Sequence, residues 1–217
     1  MERIIMSDKT GSNHHRMEIL AAMLLALIVV STAWSAYQST LWSGIQTFRL
    51  ADSNRASRQA AALTLQQAQY STIDVMTFIA YIDALHNDDQ NLVKFYFERF
   101  RPEFKVAVQA WLETNPLENP SAPPHPFVMA EYKKTFAEEA EKITGVSESK
   151  LEEAQQANQN SDNYALLTVV YASILFIGSI TTRFSSKRLN LVFLVIGMVA
   201  FSATVAAMLL VMPIAME

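Results

Sequence analysis

The chain has 217 residues, of which half are hydrophobic and 18% charged, with a formal net charge of −4 and no cysteine. Such a composition suits a protein partly dissolved in lipid. The mild acidity offers no basic face to a nucleic acid, and the missing thiols exclude disulfides, thiol catalysis and thiolate-bound metals.

Residues 1–18 carry Arg3, Lys9 and Arg16 and lead into the run "ILAAMLLALIVV". A helix needs about 20 mainly apolar residues to cross a bilayer. Three stretches meet that need: 19–37, 164–182 and 191–212, none containing Asp, Glu, Lys, Arg or His. Basic residues sit before the first span and, as Arg183, Lys187 and Arg188, in the turn over 183–190 between the second and third. The positive-inside rule places both groups in the cytoplasm. The region 38–163 and the end at 213–217 are then extracytoplasmic. Residues 1–30 also resemble a secretory signal, with "STA" before Trp34 as a cleavage site, but an uncleaved anchor is the preferred reading.

The stretch "STAWSAYQSTLWSGIQ" follows the first apolar run with no charge and no proline. Ser31, Ser35, Ser39 and Ser43 recur at every fourth residue, a ridge of small side chains that lets another helix approach closely. Two readings follow. One is a tight helix contact. The other is a hydroxyl- and amide-lined path, with Gln38 on the way, formed when several copies assemble. Trp34, Tyr37 and Trp42, and Tyr164 at the start of the second span, have amphipathic rings suited to the membrane interface. Since nothing here breaks a helix, the first span is expected to run on into a stalk.

Beyond it, Ile73, Phe78, Ile79, Ile82 and Leu85 return with roughly helical spacing. "HNDDQ" reads as a stop and a new start, with Asp88 or Asp89 as N-cap. Pro102 in "RFRPEF" requires a kink or a restart. The helix after it carries Phe104, Val106, Val108, Trp111 and Leu112 as bundle core. "NPLENPSAPPHPF" holds five of the seven prolines and reads as an extended connector. A charged helix is expected from Val128, with Gly145 as a point of kinking.

Two antiparallel stalks that start from Gln38 and Tyr164 at equal depth would match Arg49 with Glu153, Asp52 with Lys150 and Arg55 with Glu148. Exposed pairs of this kind contribute only ~0–1 kcal/mol each.

The chain lacks HExxH, GxSxG and P-loop patterns and a glycine-rich dinucleotide turn. The near neighbours Asp83, His86, Asp88 and Asp89 read as a capped helix end rather than a metal site. Charge-free spans speak against a proton relay. No enzyme activity, cofactor or metal is therefore expected.

"TAWSAYQSTLW", "FYFERFRPEFK", "FVMAEY" and "ANQNSDNYALLTVVYASILF" are similar, in this order, to strings in a family of uncharacterised bacterial integral membrane proteins with three membrane segments. The resemblance implies a bacterial-type membrane protein of that layout and carries no activity to any residue.

The expectation is thus an all-α, three-span inner-membrane protein with a helical extracytoplasmic domain on stalks, and no enzyme. It is expected to self-associate through its first helix and to bind, sense or support something through the outer domain. Its partners are the bilayer, further copies of itself, and an extracytoplasmic ligand or protein; nucleic acid is excluded. A homo-oligomeric ion or solute channel and a sensory subunit needing a separate signalling partner are the rival readings.

Overall fold

The computed structural model describes the backbone of residues 2–181 and 186–216, and side chains within 18–180, at 186 and within 188–216. It is all-helical. In chain order the helices are α1 (Glu2–His86), α2 (Gln90–Arg99), α3 (Pro102–Leu112), α4 (Thr135–Thr181) and α5 (Lys187–Val211). A single 3-10 turn, Pro126–Val128, lies between α3 and α4, and there is no strand among the described residues. Helices α1, α4 and α5 each contain a stretch long and apolar enough to cross a membrane. The side chains of Arg3, Lys9, Arg16, Arg183 and Lys187 lie outside the described residues, as does the backbone at 182–185 in the expected basic turn.

Helix α1 passes through "STAWSAYQSTLWSGIQ" unbroken. Its hydroxyls stay compatible with the helix because they donate to the carbonyl four residues back: Thr32 to Ile28 (2.8 Å), Thr40 to Ala36 (3.0 Å) and Thr47 to Ser43 (2.9 Å). It ends where Asp88 takes a positive φ of 53°. Asp89 then caps α2 by accepting from the Leu92 N–H at 3.1 Å. Pro102 opens α3 at its first turn, where a missing N–H does no harm. Gly145 interrupts nothing, since α4 runs through it.

The chain divides into two compact units, an anchor unit of residues 1–51 with 150–217 and a middle unit of residues 52–149. The anchor core joins Ala21, Leu24 and Ile28 of α1 to Tyr164, Leu167, Tyr171 and Ile174 of α4 and to Leu194 and Met208 of α5. Leu20, Met23, Leu27 and Val30 face outward, an apolar exterior of the kind lipid requires. Gly178 permits a close approach: a Cβ there would lie 2.9 Å from Leu25 Cδ2.

The middle unit is built around rings. Phe78, Tyr81, Phe100, Phe104, Trp111 and Tyr132 form its core with Ala107 and Val108. Phe104 meets Phe100 edge-on at 5.0 Å and stacks on Phe127 at 5.1 Å. Four expectations need correction here. Val106 is 52% exposed, and Ala107 takes its place inside, because the buried stripe of α3 runs through 104, 107, 108 and 111. Ile73 and Ile79 are exposed while Phe78 is buried, so the apolar residues of this part of α1 occupy two faces. Helix α4 starts at Thr135 and not at Val128, since Tyr132 is drawn into the core before the helix begins. The proline-rich segment is also not extended. It runs in successive turns and is pinned by Trp111 Nε1, which donates to the Pro123 carbonyl at 2.7 Å.

Candidate functional site

Two polar clusters stand out, one in each unit. The first lies in the anchor unit. Gln38 is 1% exposed, and its amide is satisfied at both ends by one residue. Nε2 donates to the Ala215 carbonyl at 3.3 Å, and Oε1 accepts from the Ala215 N–H at 2.8 Å. Trp42 Nε1 and the Tyr164 hydroxyl both donate to the Pro213 carbonyl, each at 3.2 Å. Three side chains on two helices thereby hold the non-helical segment that follows α5, whose backbone groups have no helical partners of their own.

The serine ridge is occupied within the same chain. Ser35 is fully buried and points its Oγ at the Met208 sulfur, 3.9 Å away. Ser39 and Ser161 lie 3.2 Å apart, and Ser161 also donates to the Ser39 carbonyl at 2.9 Å. Ser31 is half-buried, whereas Ser43 is exposed. A four-residue row rotates about 40° per step, so it leaves a contact seam that repeats every 3.5 residues. Gln38 and Trp42 take over where the serines drift off. Of the remaining interface rings, Trp34 and Tyr37 are exposed and sit 6.1 Å apart.

Of the stalk pairs, Arg49 Nε lies 3.0 Å from Glu153 Oε2. The other two matches are replaced by pairs along a single helix: Asp52 with Arg55 at 3.6 Å, and Lys150 with Glu153. No ion pair with Glu148 forms among the described residues. Partners three residues apart on one helix are preorganised, while a cross-helix pair must fix two long side chains in water. The hydrogen bond from Lys150, followed by the charge of Arg49, lowers the Glu153 pKa from its ordinary value.

The second cluster, in the middle unit, was not anticipated from sequence. Asp74 of α1 is 1% exposed and takes a bidentate grip from Arg101. Arg101 Nε donates to Oδ1 at 3.1 Å and Nη2 to Oδ2 at 2.7 Å. Tyr132 donates its hydroxyl to the same Oδ2 at 3.2 Å and lies 3.3 Å from Ser71 Oγ, which in turn accepts from Gln67 Nε2 at 3.2 Å. The guanidinium also stands over the Tyr70 ring, 4.8 Å from its centroid, and Tyr70 stacks on Phe136. Pro102 contributes by pushing Arg101 into extended backbone (ψ 145°), which makes the α2–α3 corner from which the guanidinium reaches α1.

Chemically this cluster is a lock. The hydrogen bond to Asp74 raises the Arg101 pKa, and burial, together with the Asp74 charge, raises that of Tyr132. Both therefore keep their protons at neutral pH. Three of the roughly four acceptor positions of the carboxylate are filled. One network thus ties α1, the α2–α3 corner and the segment before α4 to each other.

Among the described residues no three or more His, Asp or Glu side chains gather as a metal site. No protein-family model, curated protein or solved structure matches this chain.

Removal of the Gln38 amide gives a measurable outcome. Gln38→Ala leaves the Ala215 N–H without its acceptor and is expected to cost about 1–2 kcal/mol. Reversible unfolding in mixed micelles, followed by tryptophan fluorescence, checks this. Thr40→Ala, on an exposed face of the same helix, serves as the near-neutral control.

Proposed function

We propose that this is a non-enzymatic membrane protein whose three spans anchor a helical binding, sensing or structural module. In this reading the membrane is a bacterial inner membrane and the N-terminus is cytoplasmic. The region 38–163, which contains the middle unit, lies outside the cytoplasm. The observation that carries it is the pairing of the polar groups in and beside the spans. Ser35 and Gln38, the residues that would line a conduit, are buried and meet Met208 of α5 and Ala215 of the segment after it in their own chain. Helices with uncharged spans and internally satisfied polar groups act as an anchor. The middle unit supplies what an anchor would display, a rigid ring-packed core locked by the Asp74–Arg101–Tyr132 network.

Purified protein in liposomes is expected to pass no ionic current above that of protein-free vesicles. Steady conductance abolished by Gln38→Leu would overturn the anchor reading in favour of a channel. Orientation is tested separately, because the chain has no cysteine of its own. A single Glu139→Cys is expected to react with a membrane-impermeant maleimide added outside intact spheroplasts, and a label appearing only after lysis would reverse the topology.

A further inference from the structure

Between Arg58 and Asp83 helix α1 contains one charged residue, Asp74, and that one is buried in the lock. The inward side of this stretch is a seam with alternating spacings of three and four residues, including Ser53, Ala60, Gln67, Asp74 and Tyr81, all buried. The opposite side, by contrast, is apolar. Leu65 is 61% exposed, Met76 66% and Ile79 63%. Ala61, Leu65, Ala68, Thr72, Val75 and Ile79 are all exposed and spaced alternately by four and three residues, a second seam of heptad type. A helix whose inward side is already packed and whose outward side is apolar and uncharged presents a face suited to a second partner. Other charged surfaces of the middle unit, such as Glu138 and Glu139 on α4, show what a solvated face of this protein looks like.

We infer that this face of α1 is an interface with the same face of a second copy, packed parallel and in register. Three observations select a second copy as the occupant. First, the spans insert every copy in the same orientation, so neighbouring α1 helices run parallel whichever way the protein faces. Second, in a twofold parallel pair each residue meets its own equivalent. Such symmetry rejects charge, and this seam carries none over 61–79. Third, the area approaches what a specific contact needs. The seam from Ala61 to Ile79 is about 27 Å long, and half the circumference of the helix makes a patch on the order of 450 Å². Two such patches bury on the order of 900 Å², close to the ~1,000 Å² of a specific interface, for copies already concentrated in one bilayer. The inference does not rest on the functional proposal, since it holds for an anchor, a channel or a sensor alike.

The test uses the full chain in native membranes. Leu65→Cys, Thr72→Cys and Ile79→Cys, made singly, are expected to form disulfide-linked dimers on mild oxidation. Glu139→Cys, exposed on α4, is expected not to. Leu65→Glu with Ile79→Glu alters only exposed positions, so the monomer keeps its helical circular dichroism while the particle mass in detergent falls from dimer to monomer. The inference is overturned if the three seam cysteines link no more than the control, or if the double glutamate variant keeps the dimer mass. A wild-type chain that is monomeric in the membrane, with this face covered by lipid or another protein, would overturn it equally.

Discussion

Arg101→Leu is expected to be among the most damaging single substitutions in the middle unit, at a cost of about 3–5 kcal/mol. It removes both donors of the bidentate grip and leaves a carboxylate that is 1% exposed with only the Tyr132 hydroxyl as partner. The loss comes less from the attraction of the pair than from the uncompensated charge left behind. That distinction can be measured. Asp74→Leu combined with Arg101→Leu removes the charge as well as its partner, and most of the stability should return. Arg101→Lys should fall between, because a single ammonium cannot reproduce the planar fork. Unfolding can be followed through Trp111 once Trp34 and Trp42 are replaced by Phe. If Arg101→Leu costs under about 1 kcal/mol, water must already reach Asp74, and the lock described above does not exist.

Phe104→Ala is the second large effect, again about 3–5 kcal/mol. The side chain is completely buried and touches four rings: Phe78 at 6.1 Å, Phe100 at 5.0 Å, Phe127 at 5.1 Å and Tyr132 at 5.7 Å. Such ring pairs add about 0.5–1.5 kcal/mol each beyond the area they bury. Flat rings held in several directions cannot close over the void, so the cavity term should be near its maximum. Val106→Ala, two residues away on the exposed side of α3, should stay within about 0.5 kcal/mol. A denaturant titration of the two variants side by side separates them, and equal midpoints would mean that the ring cluster is not packed as described.

The three helices long and apolar enough to cross a membrane were legible because their uninterrupted apolar runs carry no charge. The continuity of α1 was legible because no proline or capping signal interrupts it. The seam between Ser53 and Tyr81 was not. It repeats every seven residues through Ser53, Ala60, Gln67 and Asp74, and such residues give no hydrophobic signal even when buried. The isoleucines that did signal, Ile73 and Ile79, lie off the seam on other, exposed faces of the helix. Asp74 itself could have been noticed as the single charge in an otherwise neutral stretch, since an aspartate with no charged neighbours along its helix invites a search for a distant partner. That partner is 27 residues away, across a helix end and a corner, a separation that no local pattern encodes. The serine row was visible, but its four-residue period hid where contact ends. The one-residue shift from Ser39 to Gln38 and from Ser43 to Trp42 follows from helix geometry and not from residue type.

Gln38 and Ala215 are separated by 177 residues. While the chain is being made, the amide exists long before the backbone that will satisfy it. Assembly of the anchor consequently has a fixed last step. The Gln38–Ala215 contact forms only after α5 and the segment that follows it have been made.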